Sequence, residues 1–167
     1  MQFYSTNRKT SPVSLREAVV RGLAADRGLF MPEVIRRFPP AFYQNMKEMT
    51  LREISFVVAE AFFGEDVEAG KLKEIVDETL NFDIPLVQVA DNRYSLELFH
   101  GPTLAFKDVG ARFMARLLAY FNKQEGERQV NVLVATSGDT GSAVANGFLD
   151  VPGVKVFVLY PQGKVSE

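Results

Sequence analysis

Lys107 sits directly behind Leu104, Ala105 and Phe106 in the run Leu98 to Gly110, Leu-Phe-His-Gly-Pro-Thr-Leu-Ala-Phe-Lys-Asp-Val-Gly. A strand-like stretch from Tyr94 to Phe99 precedes it, a Gly-Pro turn follows, and an amphipathic helix is predicted to open at the lysine. A cationic side chain at a helix N-terminus opposes the helix dipole, at a cost of roughly 0.3–1 kcal/mol. Apolar neighbours strip hydration from an amine and disfavour its charged form. Both effects push toward a neutral, nucleophilic amine of the kind that forms Schiff bases. By pattern alone the same residue also reads as a solvated first-turn lysine.

A second group of chemically capable residues is Thr136-Ser137-Gly138-Asp139-Thr140-Gly141. It lies between a β-type run, Asn131 to Ala135, and a small-residue helix predicted over Asp139 to Leu149. The carboxyl end of a parallel strand meeting a helix N-terminus is where open α/β sheets bind ligands. Two glycines let the backbone approach closely, and free N–H groups with hydroxyls suit a carboxylate or phosphate. No Gly-Lys-Ser/Thr follows, so this is not a Walker loop, and the three-glycine spacing of a dinucleotide fingerprint is missing. The segment also reads as a capped turn in which Asp139 serves only as a helix N-cap. His100, the single histidine, reads as a turn or hydrogen-bonding residue rather than a proton carrier.

The elements that must position these groups change character near Asp83. Before it the chain reads as mainly helical, a first region of residues 1–82. Ser14-Leu15-Arg16-Glu17 and Thr50-Leu51-Arg52-Glu53 fit capping boxes. The first predicted helix ends near Gly22, and Asp26-Arg27-Gly28 forms a turn before Leu29-Phe30-Met31. Pro39-Pro40 separates the parts. Ile54, Val57, Val58, Ala61 and Phe62 share helical spacing before Gly64, and a third helix is predicted from Glu68 to Leu80 with Leu72, Ile75, Val76 and Leu80 inward. From residue 83 on, Pro85 to Ala90 and Tyr94 to Phe99 suggest a hairpin around Asp91-Asn92-Arg93. Val109, Phe113, Leu117 and Phe121, with Met114 and Leu118 alongside, mark a buried helix face. The runs Asn131 to Ala135 and Val154 to Tyr160 read as strands covered on both sides. Strand, helix and strand then make a βαβ unit with a right-handed crossover.

Composition narrows the function. The chain has 167 residues, 47% of them apolar and 24% charged, with a net charge of −2. Such a balance is that of a soluble globular protein and makes nucleic acid an improbable partner. The absence of cysteine excludes disulfides and a thiol nucleophile, and one histidine excludes a multi-histidine metal site. No signal-peptide pattern or membrane-length apolar run is present, so cytoplasmic residence is the expectation. Oligomeric state is not legible.

The two motifs together resemble those of threonine synthases, pyridoxal-phosphate enzymes of the tryptophan-synthase-β fold type (fold type II). The likeness rests on His100 to Asp108, on Gly110-Ala111-Arg112-Phe113-Met114, and on Ala135 to Gly141. It extends to Tyr4-Ser5-Thr6, Val13 to Val19, Gly22-Leu23-Ala24, Gly28 to Glu33 and Gly163-Lys164-Val165-Ser166. The resemblance implies an α/β fold, with residues 83–167 beginning the cofactor-binding domain. It implies that Lys107 forms the Schiff base with pyridoxal phosphate and shuttles protons among the carbons of O-phosphohomoserine, giving L-threonine and phosphate. Ser137, Gly138, Asp139, Thr140 and Gly141 are then cofactor-binding, while Thr103, Thr136, Ser137 and Thr140 contact substrate and Phe106 is a pocket wall. Asp139 is an awkward anion ligand, and its role is either at the cofactor ring or in the loop's architecture. Family members are much longer, so the chain is expected to be an N-terminal portion, inactive alone, with the groups for the cofactor phosphate and pyridine nitrogen beyond Glu167. A phospholyase of the same fold and a non-catalytic binding or assembly module are the competing readings.

Overall fold

In a computed structural model of the chain, residues 1–124, 126, 128–136 and 138–163 are described. Ser137 and Lys164 to Ser166, which carry part of the sequence motifs, lie outside them. The chain divides into two compact units, Met1–Asp77 and Glu78–Glu167, so the change of character near Asp83 falls inside the second.

The first unit is built on helices, as the capping signals predict, but also holds a small sheet that the sequence pattern hides. Strand β1 (Gln2–Ser5) lies between β2 (Val13–Ser14) and β3 (Phe30–Pro32), antiparallel to both. Two- and three-residue strands are too short to show alternation. What fixes the sheet is a side-chain hub. Asp26 accepts hydrogen bonds from Ser5 Oγ at 2.5 Å, Lys9 N at 2.9 Å and Gly28 N at 3.0 Å. These bonds hold its carboxyl below the usual carboxylate range, the Ser5 bond contributing most. Gly28 is obligatory at this turn, because a Cβ there would lie 2.0 Å from Ser5 Oγ.

Helix α1 (Leu15–Arg21) starts on Ser14, whose side chain accepts from Glu17 N, and stops at Gly22 with φ 70°. Glu17 pairs with Arg21 at 2.9 Å. Pro40 opens the short helix α2 (Pro40–Asn45), where its fixed φ and missing N–H cost nothing. The second capping box is complete in α3 (Leu51–Phe63): Glu53 N donates to Thr50 Oγ1 and Thr50 N to Glu53 Oε2. Its apolar stripe is only half covered, since Ile54, Val57, Val58, Ala61 and Phe62 are of intermediate exposure and Ala59 alone in the helix is buried. In α4 (Ala69–Thr79) and the residue after it, Leu72, Ile75, Val76 and Leu80 are all buried as the spacing predicts. A fully buried leucine such as Leu72 contributes about 1.5–3 kcal/mol.

In the second unit β4 (Leu86–Ala90) and β5 (Arg93–Leu96) form the expected antiparallel hairpin, turning at Asn92 with φ 55°. Helix α5 (Lys107–Gln124) follows, then β6 (Val130–Ala135), α6 (Asp139–Gly147) and β7 (Val154–Leu159). β6 and β7 pair in parallel from Val130↔Val154 to Ala135↔Leu159, completing a βαβ unit. The expectation of two covered faces is corrected here. Both strands alternate: Val132, Val134, Val156 and Val158 face inward, whereas Leu133, Phe157 and Leu159 are exposed. Within these residues only one layer of helix is available to cover the sheet. No helix among the described residues is long and apolar enough to cross a membrane.

Thr50→Ala is expected to destabilise the chain by about 1 kcal/mol, the typical worth of an N-cap. A thermal melt that did not move would remove the cap from the account of α3.

Candidate functional site

Both sequence motifs fall in the second unit and meet through their charged residues. Lys107 is the first residue of α5, and Asp139 is the first residue of α6, directly beyond the carboxyl end of β6. Lys107 Nζ donates to Asp139 Oδ2 at 2.7 Å. The reading of Asp139 as an N-cap is not realised, because the capping position is Gly138 and makes no side-chain cap bond. Instead Asp139 Oδ1 accepts from Thr140 N at 3.0 Å while Oδ2 takes the lysine. The hydrogen bond from Lys107, with lesser help from Thr140 N, lowers the Asp139 pKa from its ordinary 3.8. Asp139 is therefore an ionised partner, not a protonated donor.

The expected apolar burial of Lys107 is not seen. Its side chain is 43% exposed, and Leu104 and Phe106 are exposed too. Of the three preceding residues only Ala105 is buried, so the apolar run does not roof over the amine. What holds the lysine in place is the next residue, which the sequence reading passed over. Asp108 is fully buried, and its two carboxyl oxygens accept from Thr103 N at 2.9 Å and Thr103 Oγ1 at 2.6 Å. Thr103, expected to contact substrate, thus has its hydroxyl hydrogen engaged within its own loop. A Cβ at Gly101 would lie 2.5 Å from Asp108 Oδ2 and 3.0 Å from Phe82 Cζ. Between them Leu104 is held at φ 56°, a conformation that costs a bulky residue energy and persists only where its surroundings dictate it. The signal in the sequence was the pairing of a threonine and an aspartate across five residues, with a glycine just before them.

Helix α5 is anchored further along by Arg112. It donates to the carbonyls of Glu78 and Thr79 at 2.6 and 3.2 Å and to Asn81 Oδ1 at 2.9 Å. Arg116 adds a 2.7 Å bridge to Glu78. His100 makes a 2.6 Å bond with Glu97 and stacks on Phe99, the local bonding role its position suggested.

In the second motif, Thr136 Oγ1 accepts from Gly138 N at 3.2 Å, and Gly141 N donates to Gly138 O at 3.0 Å. The N–H groups of Gly138, Thr140 and Gly141 are thereby occupied within the loop rather than left free. Gly141 is buried, and a Cβ there would lie 2.2 Å from Thr136 Cγ2 and 3.3 Å from Val158 Cγ1. Its absence of a side chain lets α6 lie close on the sheet. Gly138 by contrast is exposed with open space beside it, so the face available to a ligand is formed by Gly138, Asp139, Thr140 and the Lys107 amine. An amine of this reach, beside a turn bearing hydroxyls at the end of a parallel strand, fits the covalent anchoring of an aldehyde cofactor.

A parallel-strand pair with a lysine at one helix start and an exposed turn at the next is an α/β arrangement. Comparison with known proteins makes this specific. Residues 2–80 match the family model described as threonine synthase N terminus. Threonine synthase of Serratia marcescens is 42% identical over 99% of this chain and 38% of its own length. The crystal structure of threonine synthase from Escherichia coli superposes with a TM-score of 0.89 at 40% identity, over 99% of this chain and 38% of that one. The structure of threonine synthase from Brucella melitensis with bound PLP gives a TM-score of 0.92 at 36% identity, over 99% and 37% respectively. Along its length the chain is similar to the N-terminal portion of threonine synthases, and it spans about 38% of the length of the curated relatives it matches.

Two outcomes test this geometry. Asp108→Ala leaves the Thr103 N–H without its partner and is expected to destabilise the fold by roughly 1–3 kcal/mol; an unchanged denaturation midpoint would contradict the clamp. Lys107→Ala is expected to raise the Asp139 pKa toward 3.8, read by carboxyl-carbon NMR. The sign follows from a depressed carboxylate: the pair's contribution is present above the ordinary carboxylate value and fades as pH falls through the lowered one.

Proposed function

We propose that the protein of which this chain is the N-terminal part is a threonine synthase. It converts O-phosphohomoserine and water to L-threonine and phosphate as a pyridoxal-phosphate-dependent carbon–oxygen lyase, in the cytoplasm and without nucleic acid or membrane partners. The observation that carries the reading is the meeting of Lys107 and Asp139 across two helix starts, in a chain related along its length to threonine synthases. In this reading residues 83–167 begin the cofactor-binding domain.

Pyridoxal phosphate, when bound, supplies an electron sink for charge that develops on substrate carbons. Lys107 Nζ would hold it covalently and would move protons to and from those carbons. To do either, the amine has to leave Asp139, and an exposed pair allows this separation at small cost. Asp139, a carboxylate, then meets the positive rather than the anionic parts of the ligands. Gly138, Thr140 and Thr136 line the turn, and Gly141 keeps that turn tight against the sheet. Thr103 serves mainly through its bonds to Asp108, with Phe106 as an exposed wall beside the lysine.

The test is Lys107→Ala in the full-length protein. The visible absorbance of bound cofactor and threonine formation from O-phosphohomoserine are both expected to fall to background. Wild-type turnover in that variant would overturn the assignment, and release of a keto acid in place of threonine from the unmodified enzyme would favour the phospholyase.

A further inference from the structure

The first unit carries a cavity of about 460 Å³ lined by Tyr4, Arg8, Thr10, Pro12 and Glu33, within the range of small-molecule sites, roughly 300–1,000 Å³. Three of its groups are chemically unfinished. The Arg8 guanidinium lies over the Tyr4 ring, 4.6 Å from the centroid, and has no carboxylate partner among the described residues. Glu33 bonds through its backbone N–H to Gln2 O, while its carboxylate likewise has no partner among the described residues. Thr10 Oγ1 is buried without a hydrogen bond. Arg8 is also held at φ 53°, a conformation that glycine adopts freely and an arginine does not. Strain of this kind gathers at ligand sites.

Opposite charges that line one cavity without pairing leave room for a ligand that carries both. A simple anion would satisfy Arg8 but face the Glu33 carboxylate, and a simple cation would meet the reverse difficulty. We propose that this cavity binds a free α-amino acid as its zwitterion, the carboxylate taken by Arg8 and the Thr10 hydroxyl and the ammonium by Glu33. The planar guanidinium matches a carboxylate in two parallel bonds, and the Thr10 hydroxyl is the buried polar group still without a partner. Tyr4 and Pro12 supply the apolar wall for the side chain. All five residues belong to the first unit, whereas Lys107 and Asp139 belong to the second, so the site is separate in its residues from the one proposed for catalysis.

The test is calorimetric titration of the Lys107→Ala chain, in which the lysine cannot react with added ligands. Glycine and L-threonine are the probes, with acetate and methylamine as single-charge controls. The expected result is saturable binding of at least one amino acid, with each single-charge control at least 10-fold weaker. Arg8→Gly removes the guanidinium at a backbone angle suited to glycine, so the fold is kept. It is expected to weaken binding at least 10-fold, and Glu33→Gln to weaken the amino acid while acetate, relieved of the facing carboxylate, binds no more weakly than before. No saturable binding, acetate binding as tightly as the amino acids, or undiminished binding in Arg8→Gly would each overturn the proposal.

Discussion

The Asp108 carboxyl is the constraint on which the second unit's chemistry depends. It is the one acidic group wholly buried among the described residues, and it spends both oxygens on a single residue, Thr103. A buried polar group left unbonded is costly, so the loop has little freedom to move Thr103 away. The same demand fixes Gly101, whose missing side chain leaves the space Asp108 occupies, and it holds Leu104 in its left-handed conformation. Lys107 lies one residue before this clamp. Its Cα is therefore set by a buried interaction while its amine remains at the surface.

The position of Asp139 is set by close packing rather than by a bond. Gly147 on α6 meets Ala111 on α5, where a Cβ would lie 2.9 Å from the Ala111 carbonyl carbon. Gly141, the third residue of α6, packs on Thr136 and Val158, where a Cβ would lie 2.2 Å from Thr136 Cγ2 and 3.3 Å from Val158 Cγ1. Small residues at both contacts remove the slack that larger side chains would introduce. Helix α6 is thus seated by two glycines, and its first residue is delivered to the lysine. The threonine and glycine content of the second motif is explained first by packing, and only its exposed edge is left for a ligand.

Sequence reading succeeded where the signal was local or strongly periodic. Ser14, Thr50, Gly22 and Gly64 marked helix ends because capping acts within one turn, and Leu72, Ile75 and Val76 were spaced as a buried face must be. The hairpin and the βαβ unit were legible for the same reason. The three-stranded sheet of the first unit was not, because β1, β2 and β3 are held by Asp26 reaching back across 21 residues to Ser5. The surroundings of Lys107 were misjudged for a related reason. Leu104 and Phe106 are apolar in type, but a left-handed backbone at Leu104 turns this stretch outward, and no one-dimensional pattern records that angle. Asp108 was missed as a clamp because its pairing with Thr103 is set by a turn and not by a period.

The two interactions at Lys107 differ in a way that suits a residue that must react. The Lys107–Asp139 pair is exposed, with side chains 43% and 61% accessible, and exposed pairs of this kind are worth about 0–1 kcal/mol. The Asp108–Thr103 contact is buried and expensive to disturb. An amine held by the first can be released without disturbing the second, so chemistry at Nζ need not cost the loop its shape. Had Lys107 been buried in apolar surroundings, its nucleophilicity would have come from desolvation and its release would have required the loop to open. The arrangement found here separates the two tasks: a buried carboxyl fixes where the lysine stands, and a solvated one decides where its amine points until a better partner arrives.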